Sequence, residues 1–245
     1  MLDDNVALVT GASSGIGAET AVQLAEEGAD VAVAARREER LEDVASRIEA
    51  TGSEALVVPT DVSESEEVEA MISETVEELG GLDVLVNNAG VMLLESVADA
   101  DPENWRTMVE VNLLGVMNAT KAALPHLRDG GHVVNVSSVA GRVAGATSSG
   151  YNATKFGVNA FTEAFRQEET ENGVRTTLVE PGFVATELAE HIPDEEIRER
   201  SEQMTEQMDV LQPEDIARSI VFAASQPEHV SVNELLVRPT DQQAP

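Results

Sequence analysis

The sequence predicts an α/β fold in which one doubly wound, parallel sheet carries helices on both faces. Three observations lead to this prediction. Short aliphatic runs alternate with longer amphipathic stretches along the chain. The runs are nearly continuous in Val, Leu and Ala, which is typical of strands that are covered on both faces. No linker, repeat or low-complexity tract divides the 245 residues, so we expect a single domain.

The candidate strands and helices follow one another in a regular order. The strands are predicted at Val6–Thr10, Val31–Ala35, Ala55–Pro59, Asp83–Val86, His132–Ser137, Arg175–Glu180 and Glu234–Arg238. Apolar residues at helical spacing predict helices over Gly15–Glu27, Glu39–Ala50, Glu64–Leu79, Pro102–Leu127, Gly150–Glu171 and Pro213–Ala224. Because crossovers between parallel strands are right-handed, this alternation favours a doubly wound sheet.

The chain is strongly acidic. Its 46 acidic and 15 basic residues give a formal net charge of −31, and Lys121 and Lys155 are the only lysines. Nucleic acid is not an expected partner, because phosphate binding needs a basic face, and an anionic membrane surface is disfavoured for the same reason. The composition resembles that of cytoplasmic proteins from salt-loving microbes, in which molar salt screens charge within about 3 Å. The alternative is an acidic mesophilic protein.

The sequence lacks several patterns that would indicate disulfides, secretion, a membrane span or a metal site. The chain has no cysteine, so it has no disulfide framework. Met1–Asn5 is short and acidic, unlike a signal peptide, and no run approaches the ~18 apolar residues of a membrane span. We therefore expect a cytoplasmic protein. Its four histidines lie far apart without ligand spacing, so we expect no metal.

A glycine-rich turn follows the first predicted strand and opens the first predicted helix. The turn reads Gly11-Ala12-Ser13-Ser14-Gly15-Ile16-Gly17. Glycines at these positions allow a tight turn and a close approach of backbone to a diphosphate, which the helix start would bind. A plain βα turn is the alternative interpretation.

Further motifs follow in order, and together they identify a family. They are Asn87-Asn88-Ala89-Gly90, Ser138, Tyr151-x-x-x-Lys155 and Pro181-Gly182. With the glycine-rich turn, they make nearly the whole chain resemble the short-chain dehydrogenase/reductase family in its compact form. The resemblance implies a Rossmann-type, seven-stranded sheet in the order 3-2-1-4-5-6-7. It also implies one cofactor-binding domain over residues 1–245, with a variable substrate lid at about 186–210.

Tyr151 and Lys155 form a pair whose chemistry can be derived from spacing. Four residues apart on a predicted helix, they share one face with Cβ atoms about 5–6 Å apart. An ammonium beside the only tyrosine of the chain should favour its phenolate form and make the phenol a proton donor and acceptor near neutral pH. An incidental surface pair is the alternative.

The resemblance adds two catalytic residues. It implies that Ser138 orients the substrate oxygen, with the neighbouring Ser137 as the competing candidate. It also implies that the backbone carbonyl of Asn112 holds a water that links Lys155 to solvent. A satisfied core amide is the alternative for Asn112, which is otherwise a poor helix residue between Val111 and Leu113.

The end of the second predicted strand bears on the choice of cofactor. Members of the family that prefer NAD typically have an aspartate where this chain has Ala35, and Arg36 and Arg37 follow. Two guanidiniums can bind a 2′-phosphate by charge-assisted hydrogen bonds. We therefore expect NADP(H), with Arg36 as the main phosphate ligand and Arg37 and Ser13 assisting. The alternative is that both arginines pair with carboxylates of the next helix.

The resemblance implies the remaining cofactor contacts by position. Asp61 and Val62 would lie at the adenine, Asn88, Ala89 and Gly90 beneath the adenosine ribose, and Pro181, Gly182, Val184 and Thr186 at the nicotinamide and diphosphate.

These residues predict an NADP(H)-dependent enzyme that interconverts a small-molecule carbonyl and a secondary alcohol. An NAD-dependent dehydrogenase and a non-catalytic cofactor-binding regulator are the alternatives. The C-terminal tail slightly favours hydroxy-acid and serine-type substrates by resemblance, and Arg142 is either an acid-binding or a solvated loop residue. The resemblance also implies a homotetramer, with a dimer next. The candidate substrate-lining residues are Val91, Met92, Val139, Gly141, Arg142, Ala144, Phe183 and Leu188.

Overall fold

The computed structural model describes residues 2–127 and 130–242. In these ranges, seven strands form one sheet, and each lies within one residue of its predicted bounds. They are β1 (Val6–Thr10), β2 (Asp30–Ala35), β3 (Ala55–Pro59), β4 (Val84–Asn87), β5 (His132–Val136), β6 (Arg175–Pro181) and β7 (Glu234–Val237).

The helices confirm the predicted alternation. They are α1 (Gly15–Glu26), α2 (Glu38–Glu49), α3 (Ser65–Leu79), α4 (Pro102–Val109), α5 (Gly115–Leu127), α6 (Ser149–Glu169), α7 (Glu195–Glu206) and α8 (Pro213–Ala224). Across the ranges given above, no helix combines the length and the apolar character that a membrane crossing needs.

The sheet order is β3-β2-β1-β4-β5-β6-β7, as the family resemblance implied, and neighbouring strands are all parallel. The chain leaves β1 in one direction to build β2 and β3, then returns to place β4 on the other side of β1. Ala7 of β1 accordingly pairs in register with both Val31 and Val84. This reversal opens a crevice beyond the carboxyl ends of β1 and β4, where such sheets bind ligands.

Both faces of the sheet are buried, as the unbroken aliphatic runs predict. Ala7 and Val9 of β1 contribute to an apolar core with α1 and α8, whereas Leu8 between them packs into a second core with α3 and α5. Full burial of a leucine such as Leu8 contributes about 1.5–3 kcal/mol. Successive side chains of a strand point to opposite faces, so one short strand stabilises both layers.

The stretch predicted as one helix over Pro102–Leu127 is in fact two helices joined by a π turn. Residues Glu110–Leu114 form this wider turn between α4 and α5. Helical periodicity continues through it, which is why the sequence pattern predicts a single helix. Asn112 lies at its centre, and single π turns occur frequently at functional sites.

The segment after β6, where the family resemblance implied a variable lid, contains two short helices. Residues Glu187–His191 form a 3-10 helix that Thr186 caps through its hydroxyl, and α7 follows. Here we call residues 186–210 the lid segment.

His132 gives the fold a sensitivity to acid. Its ring is buried at the start of β5, where Nε2 lies 2.8 Å from the Thr177 hydroxyl oxygen. That hydroxyl donates to the Val232 carbonyl, so Nε2 carries the hydrogen, and Nδ1 has no partner within the described residues. Burial, assisted by the positive charge of Arg175, lowers the pKa of His132 to about 3.

Lowering the pH from 6.5 to 5 is therefore expected to cost about 2 kcal/mol of unfolding free energy through His132. The ring of the unfolded chain binds a proton below about pH 6.5, whereas the ring of the folded protein does not. The contribution of His132 to the unfolding free energy is therefore complete above that pH and falls by ~1.4 kcal/mol per pH unit below it. Urea unfolding of the wild type and of His132→Gln at both pH values measures this difference. The acidic residues are the same in both proteins, so their effect on the pH dependence of the unfolding free energy cancels in the comparison. An identical pH dependence in the two proteins would contradict the low pKa of His132.

Candidate active site

A cavity of about 850 Å³ opens at the carboxyl ends of the central strands. It brings together predicted residues from seven separate segments of the chain. All predicted site residues except Gly17 and Asn112 line it, namely Gly11, Ser13, Ser14, Gly15, Ile16, Arg36, Arg37, Asp61, Val62, Asn88, Ala89, Gly90, Ser138, Tyr151, Lys155, Pro181, Gly182, Val184 and Thr186.

The glycine-rich turn has the geometry of an anion site. Gly11 and Gly15 have φ angles of +67° and +55°, which side chains rarely adopt. A Cβ on Gly17 would lie 2.4 Å from the Gly11 carbonyl oxygen, so Gly17 supports the turn from behind the cavity. Ser14 at the N-cap of α1 makes no side-chain hydrogen bond to the first helical turn, which leaves the helix start for a ligand. These features fit the diphosphate of a dinucleotide.

Thr10 joins the glycine-rich turn to the loop after β4 by hydrogen bonds, a role that the sequence did not predict. Its hydroxyl accepts hydrogen bonds from the backbone N–H groups of Asn88 and Ala89, at 3.1 and 3.2 Å. The Asn88 amide in turn donates to the carbonyls of Thr10 and Gly11. The loop after β4 is therefore held against the glycine-rich turn.

Ser138, Tyr151 and Lys155 meet on one wall of the cavity. Ser138 follows β5 directly, and the other two residues lie on α6 with 6% and 5% of their surface exposed. The Lys155 Nζ lies 5.8 Å from the centre of the Tyr151 ring and donates to the Val136 carbonyl at 3.0 Å. The Tyr151 hydroxyl hydrogen-bonds to Ser138. Ser137, the competing serine, instead donates to Asn159 at 2.6 Å, away from the phenol.

Burial dominates the pKa values of this group, which differs from the sequence expectation. It raises the pKa of Tyr151 to about 12, although the hydrogen bond from Ser138 opposes the shift. Burial also lowers the pKa of Lys155 to about 8. Removing each group from water disfavours its charged form more than the neighbour's charge favours it. In the protein alone the phenol is therefore protonated at neutral pH and is ready to donate.

Asn112 connects three segments from behind the cavity. Its side chain accepts from the Val91 N–H and donates to the Val91 carbonyl, both at 2.8 Å, and also donates to the Thr154 hydroxyl at 3.3 Å. The side chain thus matches the alternative of a satisfied core amide. The water held by its backbone carbonyl stays a prediction.

The two predicted phosphate-binding arginines differ in their surroundings. Arg37 donates from Nε and Nη2 to the Ser13 hydroxyl at 3.1 and 2.9 Å, and from Nη2 to the Ser14 hydroxyl at 2.8 Å. The Arg36 side chain is 72% exposed and lies 3.8 Å from Asp61. The carboxylates that pair with them are Asp61 and Glu187, and neither belongs to α2.

Arg142 does not line the cavity. Its side chain is 40% exposed, as expected for a loop residue, but it is held by two ion pairs. Its Nε donates to Glu180 at 2.6 Å, and its guanidinium also pairs with Glu234 of β7. Glu180 is fully buried and accepts a second hydrogen bond from Asn159 at 2.8 Å. A buried carboxylate needs such a partner, and this requirement places Arg142 behind the site.

The remaining substrate-lining candidates divide into two groups. Gly141 and Ala144 do not line the cavity, whereas Val91, Met92, Val139, Phe183 and Leu188 do. Other lining residues carry no motif that could have identified them in the sequence. Those on the lid segment are Glu187, Ala189, His191, Ser201 and Thr205.

Comparisons with known proteins identify the family of the chain. The sequence profile described as short chain dehydrogenase matches residues 5–197. An oxidoreductase of Staphylococcus saprophyticus is 40% identical over 244 residues, which are 98% of this chain and 97% of that protein.

Solved structures are similar as well. An alcohol dehydrogenase from the archaeon Thermococcus sibiricus, complexed with 5-hydroxy-NADP, has a TM-score of 0.89 and 31% identity, covering 98% of this chain and 99% of that one. The closed form of a serine dehydrogenase complexed with NADP+ has a TM-score of 0.88 and 32% identity, covering 98% and 96%. Matches in sequence and in fold span nearly the entire chain and include the segments that build the cavity. The chain therefore belongs to the short-chain dehydrogenase/reductase family and has the oxidoreductase fold of that family.

Proposed function

We propose that this oxidoreductase uses NADP(H) to interconvert a carbonyl and a secondary alcohol. The observation that carries the proposal is the meeting of Ser138, Tyr151 and Lys155 on the wall of a cavity that begins at the glycine-rich turn. A regulator that only binds a cofactor would not need a buried phenol hydrogen-bonded to a serine beside a buried amine. We propose Ser138, Tyr151, Lys155 and Asn112 as the catalytic set.

Ser138, Tyr151 and Lys155 each have a distinct task in the proposed reaction, and Asn112 would act through a water held by its backbone carbonyl. When bound, the nicotinamide ring supplies or accepts the hydride at the carbonyl carbon. Ser138 holds the carbonyl oxygen, and Tyr151 donates its proton to the oxygen as negative charge develops there. The Lys155 ammonium binds ribose hydroxyls and stabilises the phenolate that is left. For alcohol oxidation the same phenol accepts the proton.

The preference for NADP(H) over NAD(H) is supported by the end of β2. Ala35 lines the cavity where an acid would repel a 2′-phosphate, and Arg36 and Arg37 line it next to Ser13. Two of the similar structures carry an NADP-type cofactor, which supports the same choice. An NAD-dependent dehydrogenase is the second candidate, because the Arg36 side chain is 72% exposed and its nearest acidic partner is Asp61, at 3.8 Å.

Replacing Arg36 and Arg37 together by Ala is expected to raise the KM for NADPH about tenfold to a hundredfold, with less than about a twofold change for NADH. The contacts of the two guanidiniums with the 2′-phosphate, weakened by the exposure of both side chains to solvent, together contribute about 1.5–3 kcal/mol, and NADH lacks that group. Oxidation of both cofactors with a panel of carbonyl substrates, in high and low salt, measures the effect and tests for turnover. Arg218→Ala, an exposed arginine on α8, is the matched control. Equal losses for the two cofactors would contradict the preference, and no turnover with any substrate would favour the regulator.

The substrate is proposed to be neutral and largely apolar near its carbonyl. Val91, Met92, Val139 and Phe183 line this part of the cavity. In the described residues, the lysine and arginines that line the cavity are Lys155, Arg36 and Arg37, which are assigned to catalysis and cofactor. Arg142 pairs with Glu180 outside the cavity, so residues 2–127 and 130–242 offer no further arginine to bind the carboxylate of a hydroxy acid.

We further propose that residues 1–245 act as one domain, with the lid segment covering the substrate. Self-association as a homotetramer, or next as a dimer, is supported by exposed apolar side chains on α4, α6 and the turn between α4 and α5. These are Val109, Leu114 and Phe156, each 39–43% exposed. Cytoplasmic location and adaptation to salt stay predictions from composition.

A further inference from the structure

One carboxylate of the lid segment forms ion pairs with two guanidiniums beside the proposed phosphate site. Glu187 Oε2 accepts from Arg37 Nη1 at 2.9 Å, and both of its oxygens accept from Arg40 Nη1, at 2.6 and 2.9 Å. About 150 residues of chain separate Glu187 from these arginines. The contact therefore joins the start of the lid segment to the N-terminus of α2.

The same Arg37 side chain holds the two serines of the glycine-rich turn. Its Nε and Nη2 bond to Ser13 and Ser14, while Nη1 bonds to Glu187. Two guanidiniums and two hydroxyls form a donor set that suits an anion with several oxygens. The Glu187 carboxylate is such an anion, and hydrogen bonds from Arg37 and Arg40 lower the pKa of Glu187 to about 2.

The position of Glu187 in the chain fixes it near the cofactor cavity. Thr186, the preceding residue, lies close to the glycine-rich turn, since its Cγ2 would be 3.2 Å from a Cβ on Gly15. Glu187 itself lines the cavity together with Arg37. A ligand phosphate on Arg37 would thus lie beside the Glu187 carboxylate.

We infer that Glu187 is a specificity-determining residue that competes with the 2′-phosphate of the cofactor for Arg37, an inference that rests on the proposed NADP(H) preference. A phosphate monoester carries about −1.5 to −2 charge and three acceptor oxygens, so it takes Arg37 from a carboxylate that has one charge. NAD(H) has no such phosphate and leaves the Glu187 contact intact. Arg40 keeps the Glu187 carboxylate nearby, and the negative charge of this carboxylate repels the incoming phosphate. Glu187 therefore reduces discrimination between the two cofactors.

The test compares binding of 2′,5′-ADP and 5′-AMP, because these probes differ by the 2′-phosphate and need no turnover. Titration calorimetry of the full chain at low salt gives the ratio of the two dissociation constants. Glu187→Gln keeps the size of the side chain and removes its charge, and is expected to increase the preference for 2′,5′-ADP about tenfold. Glu190→Gln, on the same short helix but exposed and outside the cavity lining, makes the same change in net charge and is expected to match the wild type. Because the arginine contacts are partly exposed, the gain is expected to shrink as salt is added.

The outcomes separate this inference from the proposed cofactor preference. If the wild type prefers 2′,5′-ADP and Glu187→Gln behaves like Glu190→Gln, the competition is wrong and the NADP(H) preference stands. If only Glu187→Gln prefers 2′,5′-ADP, the result supports the inference that Glu187 competes with the 2′-phosphate for Arg37, and it shows that this competition removes the preference in the wild type. If no variant distinguishes the probes, both proposals fail.

Discussion

Replacing Tyr151 by Phe is expected to lower kcat by about 10²- to 10⁴-fold, while the dissociation constant for NADPH changes less than about threefold. This decrease in kcat equals the rate enhancement that a positioned general acid typically contributes. The change deletes one hydroxyl and keeps the buried ring, so the packing of α6 against the cavity is preserved. Steady-state rates with an accepted carbonyl, together with fluorescence titration of NADPH, separate the two effects. A variant that kept more than about a tenth of the activity would rule out Tyr151 as the acid.

The two adjacent serines provide a matched control for that experiment. Ser138→Ala removes the hydrogen-bond partner of the Tyr151 hydroxyl and is expected to lower kcat with little change in melting temperature. Ser137→Ala removes a hydroxyl that binds Asn159, so it is expected to lower stability and leave the reacting group in place. The reverse pattern would assign the substrate oxygen to Ser137.

Replacing Gly17 by Ala is expected to abolish cofactor binding, with at least about a hundredfold loss of affinity for NADPH. The new Cβ would lie 2.4 Å from the Gly11 carbonyl oxygen and 2.5 Å from Asn88 Nδ2, and a backbone atom cannot move aside without shifting the whole turn. Ordinary overpacking costs about 1–3 kcal/mol. The overlap here is with a backbone atom and lies at or beyond the upper end of that range, and about 2.7 kcal/mol of lost binding free energy corresponds to a hundredfold loss of affinity.

Thermal unfolding and NADPH titration of Gly17→Ala measure both effects. Gly81→Ala is the control, because a Cβ at Gly81 meets no atom within 4 Å and its φ angle is not in the left-handed region. The prediction is contradicted if Gly17→Ala binds NADPH as well as Gly81→Ala does.

The strands and the main cavity residues could be predicted because they depend on short, local patterns. Unbroken aliphatic runs such as Val6–Thr10 identify buried strands, and the carboxyl ends of parallel strands meet at one edge of the sheet. The order of the strands required the family resemblance, since right-handed crossovers alone leave several arrangements. The resemblance also supplied the roles of Ser138 and Asn112.

Other features depend on contacts between distant segments, and no local pattern contains them. The π turn around Asn112 continues the helical periodicity, so the sequence pattern reveals neither the wider turn nor the hydrogen bonds from the Asn112 side chain to Val91. The partners of Arg37 and Arg142 lie far along the chain, at Glu187 and Glu180. The raised pKa of Tyr151 follows from burial, which a sequence spacing does not measure.

The ion pairs around Glu180 set limits on how this enzyme can be redesigned. Removing Arg142 alone would leave a carboxylate in a dry environment, which typically costs about 3–5 kcal/mol. The segment between Ser138 and Arg142 is thereby attached to β6 and to the edge strand β7. The opposite wall comes from residues 186–210, whose polar side chains are mostly not buried. A library aimed at new substrates should therefore vary this second wall and leave the first unchanged.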